Sequence, residues 1–155
     1  MPFYRKKPAQ PLTVDEALIK LENFCAYRER CQKEVRTRLS ELGLKGAEAD
    51  QILDVLREDG FYDEVRYALA YAGGKFRINH WGRVRIRQEL RMRDIAPELV
   101  QQALDSIEEE EYVGTLQRLL EKRRQHYAGD PQVREKTAAA LIRAGFEPEL
   151  VFRYL

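Results

Sequence analysis

Cysteine and histidine are scarce in this sequence, two of each, and their scarcity excludes much. Cys25 and Cys31 form no CxxC pair, no HxxxH motif accompanies them, and His80 and His126 lie far away in sequence. Neither a zinc site nor a disulfide framework is expected, and both thiols read as free and reduced. There is no GxSxG, HExxH or GxxxxGK[ST] pattern, and Gly73 and Gly74 follow no strand, so they do not make a phosphate loop. Two isolated histidines leave little for general acid–base work. The chain therefore reads as a non-enzymatic protein with no catalytic residue, no metal and no cofactor. Long apolar runs are missing as well: none reaches the ~18–20 residues that cross a bilayer, so no membrane partner is expected. The opening MPFYRKKPAQPL lacks the apolar centre of a signal peptide, which points to a cytoplasmic location. Sustained period-two alternation is also absent, which argues against strands.

What is present is charge, apolar residues and helix signals. With 44% hydrophobic and 34% charged residues, the composition is that of a charge-rich globular protein. Residues 1–12 carry three prolines without periodicity and read as a flexible tail. Thr13 and Glu16 then form a capping box, after which Ala17, Leu18, Leu21, Phe24 and Cys25 share one helical face. Further starts are expected at Asp63, at Pro97 and Pro148, and at Asp130 before Pro131. Stops are expected near Gly43, Gly60, Asp94 and Gly145.

The pattern also repeats. Leu39, Leu90 and Leu141 recur every 51 residues, followed by the related segments LSELGL, LRMRDI and LIRAGF. IAPELVQQAL from Ile95 then parallels FEPELVFRYL from Phe146. GLKGAEADQILDVL, from Gly43, follows the same plan with three extra residues, so that Ile52 and Leu56 stand where Val100 and Leu104, and Val151 and Leu155, stand in the other copies. The expected fold is all-α, a tandem repeat of three three-helix units over residues 13–60, 61–108 and 109–155. Units of about fifty residues bury little surface alone and gain by stacking, which predicts an elongated curved array.

Charge is distributed unevenly along this repeat. Lys75, Arg77, Arg83, Arg85, Arg87, Arg91 and Arg93 face a single acid, Glu89, a local charge of +6 in a chain of net charge +1. Much of the compensating negative charge lies in DSIEEEE, Asp105 to Glu111. In WGRVRIRQELRMRDI, Trp81 to Ile95, helical geometry puts Arg83, Arg87 and Arg91 within one arc beside Ile86 and Leu90. Two readings fit: a solvated face, or forked guanidinium donors presented to phosphates or carboxylates. The aromatics nearby, Tyr67, Tyr71, Phe76 and Trp81, read either as core, with Trp81 stapling the helix entry, or as platforms for stacking bases.

YRERCQKEVRTRL from Tyr27, DGFYDEVRYALAYAGGKFR from Asp59, the Trp81–Ile95 stretch and REKTAAALIRAGF from Arg134 together resemble the RecX family of bacterial regulators of the recombinase RecA, over about residues 13–155. Two positions depart from that pattern: Cys31 stands where the family often caps the helix with serine, and Asp94 where it usually has glycine. The resemblance implies tandem three-helix units without enzymatic activity, and the chain itself is expected to be a monomer. It implies binding to the RecA filament, with single- or double-stranded DNA inside it, and inhibition of its recombinase, ATPase and coprotease activities. Arg83, Arg85, Arg87 and Arg91 are the principal candidate contacts, with Lys75 and Arg77 in support; Arg36, Arg38, Lys122, Arg123 and Arg124 are secondary. Two other classes compete. One is a helical module binding DNA or RNA directly, without a recombinase; the other is a protein scaffold working through the acidic segment Asp105 to Glu111.

Overall fold

A computed structural model describes residues 12–155, so the expected tail, Leu12 apart, lies outside the described residues. Among them every regular element is a helix, nine in all: α1 Val14–Tyr27, α2 Gln32–Glu41, α3 Gly46–Glu58, α4 Glu64–Arg77, α5 Arg83–Met92, α6 Pro97–Asp105, α7 Glu109–His126, α8 Val133–Arg143 and α9 Pro148–Tyr154. The all-α expectation holds. No helix among the described residues is long and apolar enough to cross a membrane. The chain forms two compact units, the first ending at Tyr67 and the second running Ala68–Leu155, so the division falls inside α4.

The 51-residue repeat has a backbone basis. Leu39, Leu90 and Leu141 are all buried. The carbonyl of each accepts from the amide five residues on: Leu44 N–H to Leu39 O (2.9 Å), Ile95 N–H to Leu90 O (3.2 Å) and Phe146 N–H to Leu141 O (3.1 Å). This closure needs a left-handed residue at the bend. Gly43 and Gly145 supply it with φ of 85° and 100°, and Asp94 supplies it with φ of 57°. The side chain of Asp94 tolerates that region better than most, so the turn is kept without glycine. The register of the closing helices also holds: Ile52, Leu56, Val100, Leu104 and Val151 are buried, and Leu155 is half-buried.

In the first unit, Ala17, Leu21 and Cys25 of α1 pack with Val35 and Leu39 of α2, Ile52 and Leu56 of α3, and Tyr62. Thr13 caps α1, its hydroxyl accepting from Glu16 N–H at 3.2 Å. At the start of α2 the cap is unusual. Cys31 N–H and Sγ–H both donate to Glu34 Oε1, at 3.5 and 3.4 Å, while the next amide, Gln32 N–H, donates to Glu64 Oε1 at 2.6 Å. Cys31 and Glu34 thus form a reciprocal capping box, and a carboxylate from α4 satisfies the first amide of α2 beside it. Asp63 in turn caps α4, its carboxylate accepting from Arg66 N–H at 2.8 Å, and Arg66 Nε reaches Glu29 at 2.7 Å. The FYDEVR segment thus ties the first turn of α4 to the α1–α3 core.

Both thiols are buried. Burial raises both above the ordinary range, that of Cys31 to about 11. Only the thiolate attacks a disulfide, so an aromatic disulfide reagent at neutral pH is expected to leave the folded protein untouched and to label both cysteines in urea. Prompt labelling of the folded chain would contradict the placement of α1 and α2.

In the second unit, α8 begins at Val133, later than the Asp130 start expected from sequence. Asp130 and Pro131 form a turn first, with Gln132 N–H bonded to Asp130 Oδ1 at 2.8 Å and Val133 N–H to Asp130 O at 3.1 Å. α4 stays continuous through Gly73 and Gly74. Buried Phe76, Tyr112 and Phe146 stack in series with centroid separations of 5.5 and 5.3 Å, joining α4, α7 and the α8–α9 turn.

Candidate functional site

The arginines that sequence placed on one helix separate into two sets. α5 is preceded by its N-cap Gly82, whose N–H donates to Ala144 O at 2.9 Å, while Val84 N–H donates to Gly145 O at the same distance. Backbone therefore meets backbone, and the first turn of α5 is built into the unit. Arg83 follows it inward. Its side chain is 18% exposed, its guanidinium carbon lies 3.7 Å from the centre of the Tyr112 ring, and it pairs with Glu147 at 3.0 Å and with Glu109. Tyr112 accepts from Arg83 N–H at 3.1 Å and donates to Glu147. Burial and the neighbouring Glu147 carboxylate push the Tyr112 hydroxyl well above the usual phenol range, so it remains a donor. The first principal candidate is thus already occupied within the chain. Arg87 lines an adjacent cleft of about 420 Å³ with Asp105, Glu108, Glu109 and Glu147, where four carboxylates oppose two arginines.

Arg85 lies on the other side of α5, exposed, with its guanidinium carbon 4.0 Å from the Trp81 ring centre. Lys75 Nζ sits 4.8 Å from the same ring and 5.4 Å from that of Tyr71. The Tyr71 ring also carries Arg93, at 4.8 Å, and meets Trp81 edge-on at a centroid separation of 6.5 Å. Three cations and two rings interleave into a ladder along α4 and α5. Cation–π contacts at such a half-exposed site contribute about 0.5–1 kcal/mol each. Their larger effect is positional, because a stacked guanidinium is held in place before a partner arrives. The only acid of α5, Glu89, is taken by Arg93 at 2.9 Å. Arg91, exposed between them in sequence, has no ion pair among the described residues.

The remaining candidates are dispersed. Arg77 pairs with Glu111 at 3.1 Å, Arg36 with Asp50 at 3.0 Å and Arg38 with Glu41 at 2.9 Å, all on exposed surfaces. Arg124 is held by Glu121 and by the carbonyl of Tyr154. Lys122 and Arg123 line a second cleft with both histidines. The acidic segment has a structural role: Glu109, Glu110 and Glu111 form the first turn of α7, where carboxylates suit the helix dipole, and Glu109 and Glu111 also hold Arg83 and Arg77.

The two readings of the aromatics each hold for part of the set, since Tyr67 and Phe76 are core whereas Tyr71 and Trp81 are half-buried under cations. Arg93, which the structure places over the Tyr71 ring, is not among the candidates that the sequence singles out. Its signal was the i, i+4 spacing to Glu89 beside an aromatic helix.

Family models described as the second and third three-helix domains of RecX match residues 63–104 and 109–155. Proteins named regulatory protein RecX are similar over most of the chain. That of Geobacillus sp. (strain WCH70) is 31% identical over 134 residues, 85% of this chain and 49% of the relative. That of Bacillus cytotoxicus is 24% identical over 140 residues, 89% and 52% respectively. The chain thus spans about half the length of the curated relatives it matches. In fold it is similar to the crystal structure of RecX from Lactobacillus salivarius, with a TM-score of 0.83 at 20% identity, covering 91% of this chain and 93% of that one.

Proposed function

The chain belongs to the RecX family, and on that premise we propose that it is a regulatory protein that binds the RecA filament on DNA and inhibits its recombinase, ATPase and coprotease activities. The observation that supports this reading is the ladder of Lys75, Arg85 and Arg93 on Tyr71 and Trp81. A nucleoprotein filament presents both phosphates and protein carboxylates, and preset guanidinium groups pair with either through charge-assisted bonds. Arg85 and Arg91, exposed and without ion pairs among the described residues, make the contact in this reading. Arg83 acts through the fold, holding α5 to α7 and to the α8–α9 turn.

A second reading, a module acting directly on nucleic acid, draws support from Trp81, because a half-exposed ring flanked by cations also suits a stacked base. The two separate in one experiment. Purified chain is added to recombinase filaments on single-stranded DNA, and ATP hydrolysis is followed alongside binding to the bare strand at several salt concentrations. The regulator reading expects a dose-dependent fall in ATP hydrolysis and tighter binding to the filament than to the bare strand. Binding to bare DNA with a log–log salt slope of about −0.7 per phosphate engaged, unchanged by recombinase and without effect on ATP hydrolysis, would overturn it.

A further inference from the structure

The second unit contains two clefts of about 420 Å³ with opposite electrostatics. One holds the carboxylates around Arg87. The other, between the end of α4, the last turns of α7 and the face of α8, has no carboxylate in its lining. Leu119, Lys122, Arg123 and His126 line it from α7, and their i, i+3, i+4, i+7 spacing makes them one stripe of that helix. Across from it come Asn79 and His80, carried there because His80 takes the left-handed conformation, φ 55°, as the chain leaves α4. The only two histidines of the sequence thus converge on one cavity.

Its chemistry is two-sided. Ala140, Leu141 and Ala144 supply an apolar floor from α8, while amide, imidazole, ammonium and guanidinium groups form the rim. Neither Lys122 nor Arg123 has an ion pair among the described residues, whereas the neighbouring acid, Glu121, is engaged by Arg124 at 3.4 Å and Gln125 at 3.3 Å. Cations in the last turn of a helix complement its dipole, which accounts for Arg123 and His126. It does not account for the arrival of Asn79 and His80 from the segment after α4, nor for the apolar floor.

We propose that this cavity binds a nucleoside phosphate, with the base and sugar over the Ala140–Leu141–Ala144 floor and the phosphate between Lys122, Arg123 and the imidazoles of His80 and His126. The volume admits one nucleotide, since ligand cavities begin at about 300 Å³. Forked and point-charge donors on one rim match phosphate oxygens. A free nucleotide and the phosphorylated end of a single strand share this chemistry. The site stands apart from the α5 ladder and does not depend on any recombinase.

The test uses the full chain at constant pH, with the imidazole ring signals in NMR as the readout; two histidines give two assignable sets. Titration with adenosine monophosphate is expected to shift both sets saturably, inorganic phosphate to do so more weakly, and adenosine to leave them in place. Lys122→Glu with Arg123→Glu is expected to weaken the nucleotide by at least about tenfold, and Arg85→Glu with Arg91→Glu to leave it unchanged. Oligothymidylate with and without a 5′-phosphate separates the sources: shifts that require the 5′-phosphate at concentrations where the monophosphate is silent identify a strand end. Imidazole signals unmoved by every phosphate probe would overturn the proposal, and so would equal shifts with adenosine and its monophosphate. Equal affinity for inorganic phosphate and the nucleotide would remove the floor from it.

Discussion

Gly82→Ala is expected to destabilise the protein by about 3 kcal/mol or more, although the backbone at this position would accept any residue. With φ of −81° the site is extended. An alanine there restricts the unfolded chain, so on conformational grounds alone the change would stabilise slightly. The penalty comes from space. A Cβ at Gly82 would fall on the backbone of Gly145 and Phe146, and one at Gly145 would come within 2.8 Å of Arg85 N. Backbone atoms cannot rotate aside as the end of a side chain can. The α8–α9 turn would therefore lift from α5, breaking the 2.9 Å bonds from Gly82 and Val84 to Ala144 and Gly145 and loosening Arg83 from Glu147. Overpacking costs about 1–3 kcal/mol and each hydrogen bond about 0.5–1.5 kcal/mol more. The measurement is the urea midpoint at constant m. Gly60→Ala is the control: φ is 75° but nothing lies within 4 Å, so only the left-handed strain of about 1–2 kcal/mol applies. A Gly82→Ala protein no less stable than that control would refute the close approach.

Reversing the charge of both Arg85 and Arg91, each to glutamate, is expected to weaken binding to the recombinase filament by about 3 kcal/mol, roughly a hundredfold in Kd, and to reduce inhibition of ATP hydrolysis in parallel. Two charge-assisted contacts at about 1.5–3 kcal/mol each set that scale, and repulsion adds to it. Both residues are exposed, and neither contributes an ion pair to the fold among the described residues, so the urea midpoint should stay close to that of the parent chain. Arg83 does not suit this test. Removing it would strand Glu109 and Glu147 beside a buried tyrosine, and loss of binding would then report unfolding. Arg38→Glu serves as the charge control, because its exposed pair with Glu41 is of a kind that contributes at most about 1 kcal/mol. Inhibition by the double variant equal to that of the parent would remove Arg85 and Arg91 from the mechanism.

The sequence by itself determined the all-helical fold, the helix starts at Thr13, Asp63, Pro97 and Pro148, and the 51-residue period, while it placed the start of α8 too early. Those properties rest on neighbours within a few positions: Thr13 on Glu16, Asp63 on Arg66, and Leu90 on the turn at Asp94. It also located the cationic segment. Helical angles grouped Arg83 with Arg87 and Arg91, but they gave no account of what lay opposite each. Only the tertiary structure decided that Arg83 turns toward Glu147, 64 residues away in sequence, while Arg85 stacks on Trp81. The helix wheel treats all outward positions as equivalent, whereas an arginine's role depends on which carboxylate or ring meets it across the packing interface. The same physics made Gly82 unreadable in advance. It reads as an ordinary helix start until Gly145 arrives against it, and closeness between distant backbones leaves no local trace in composition or period.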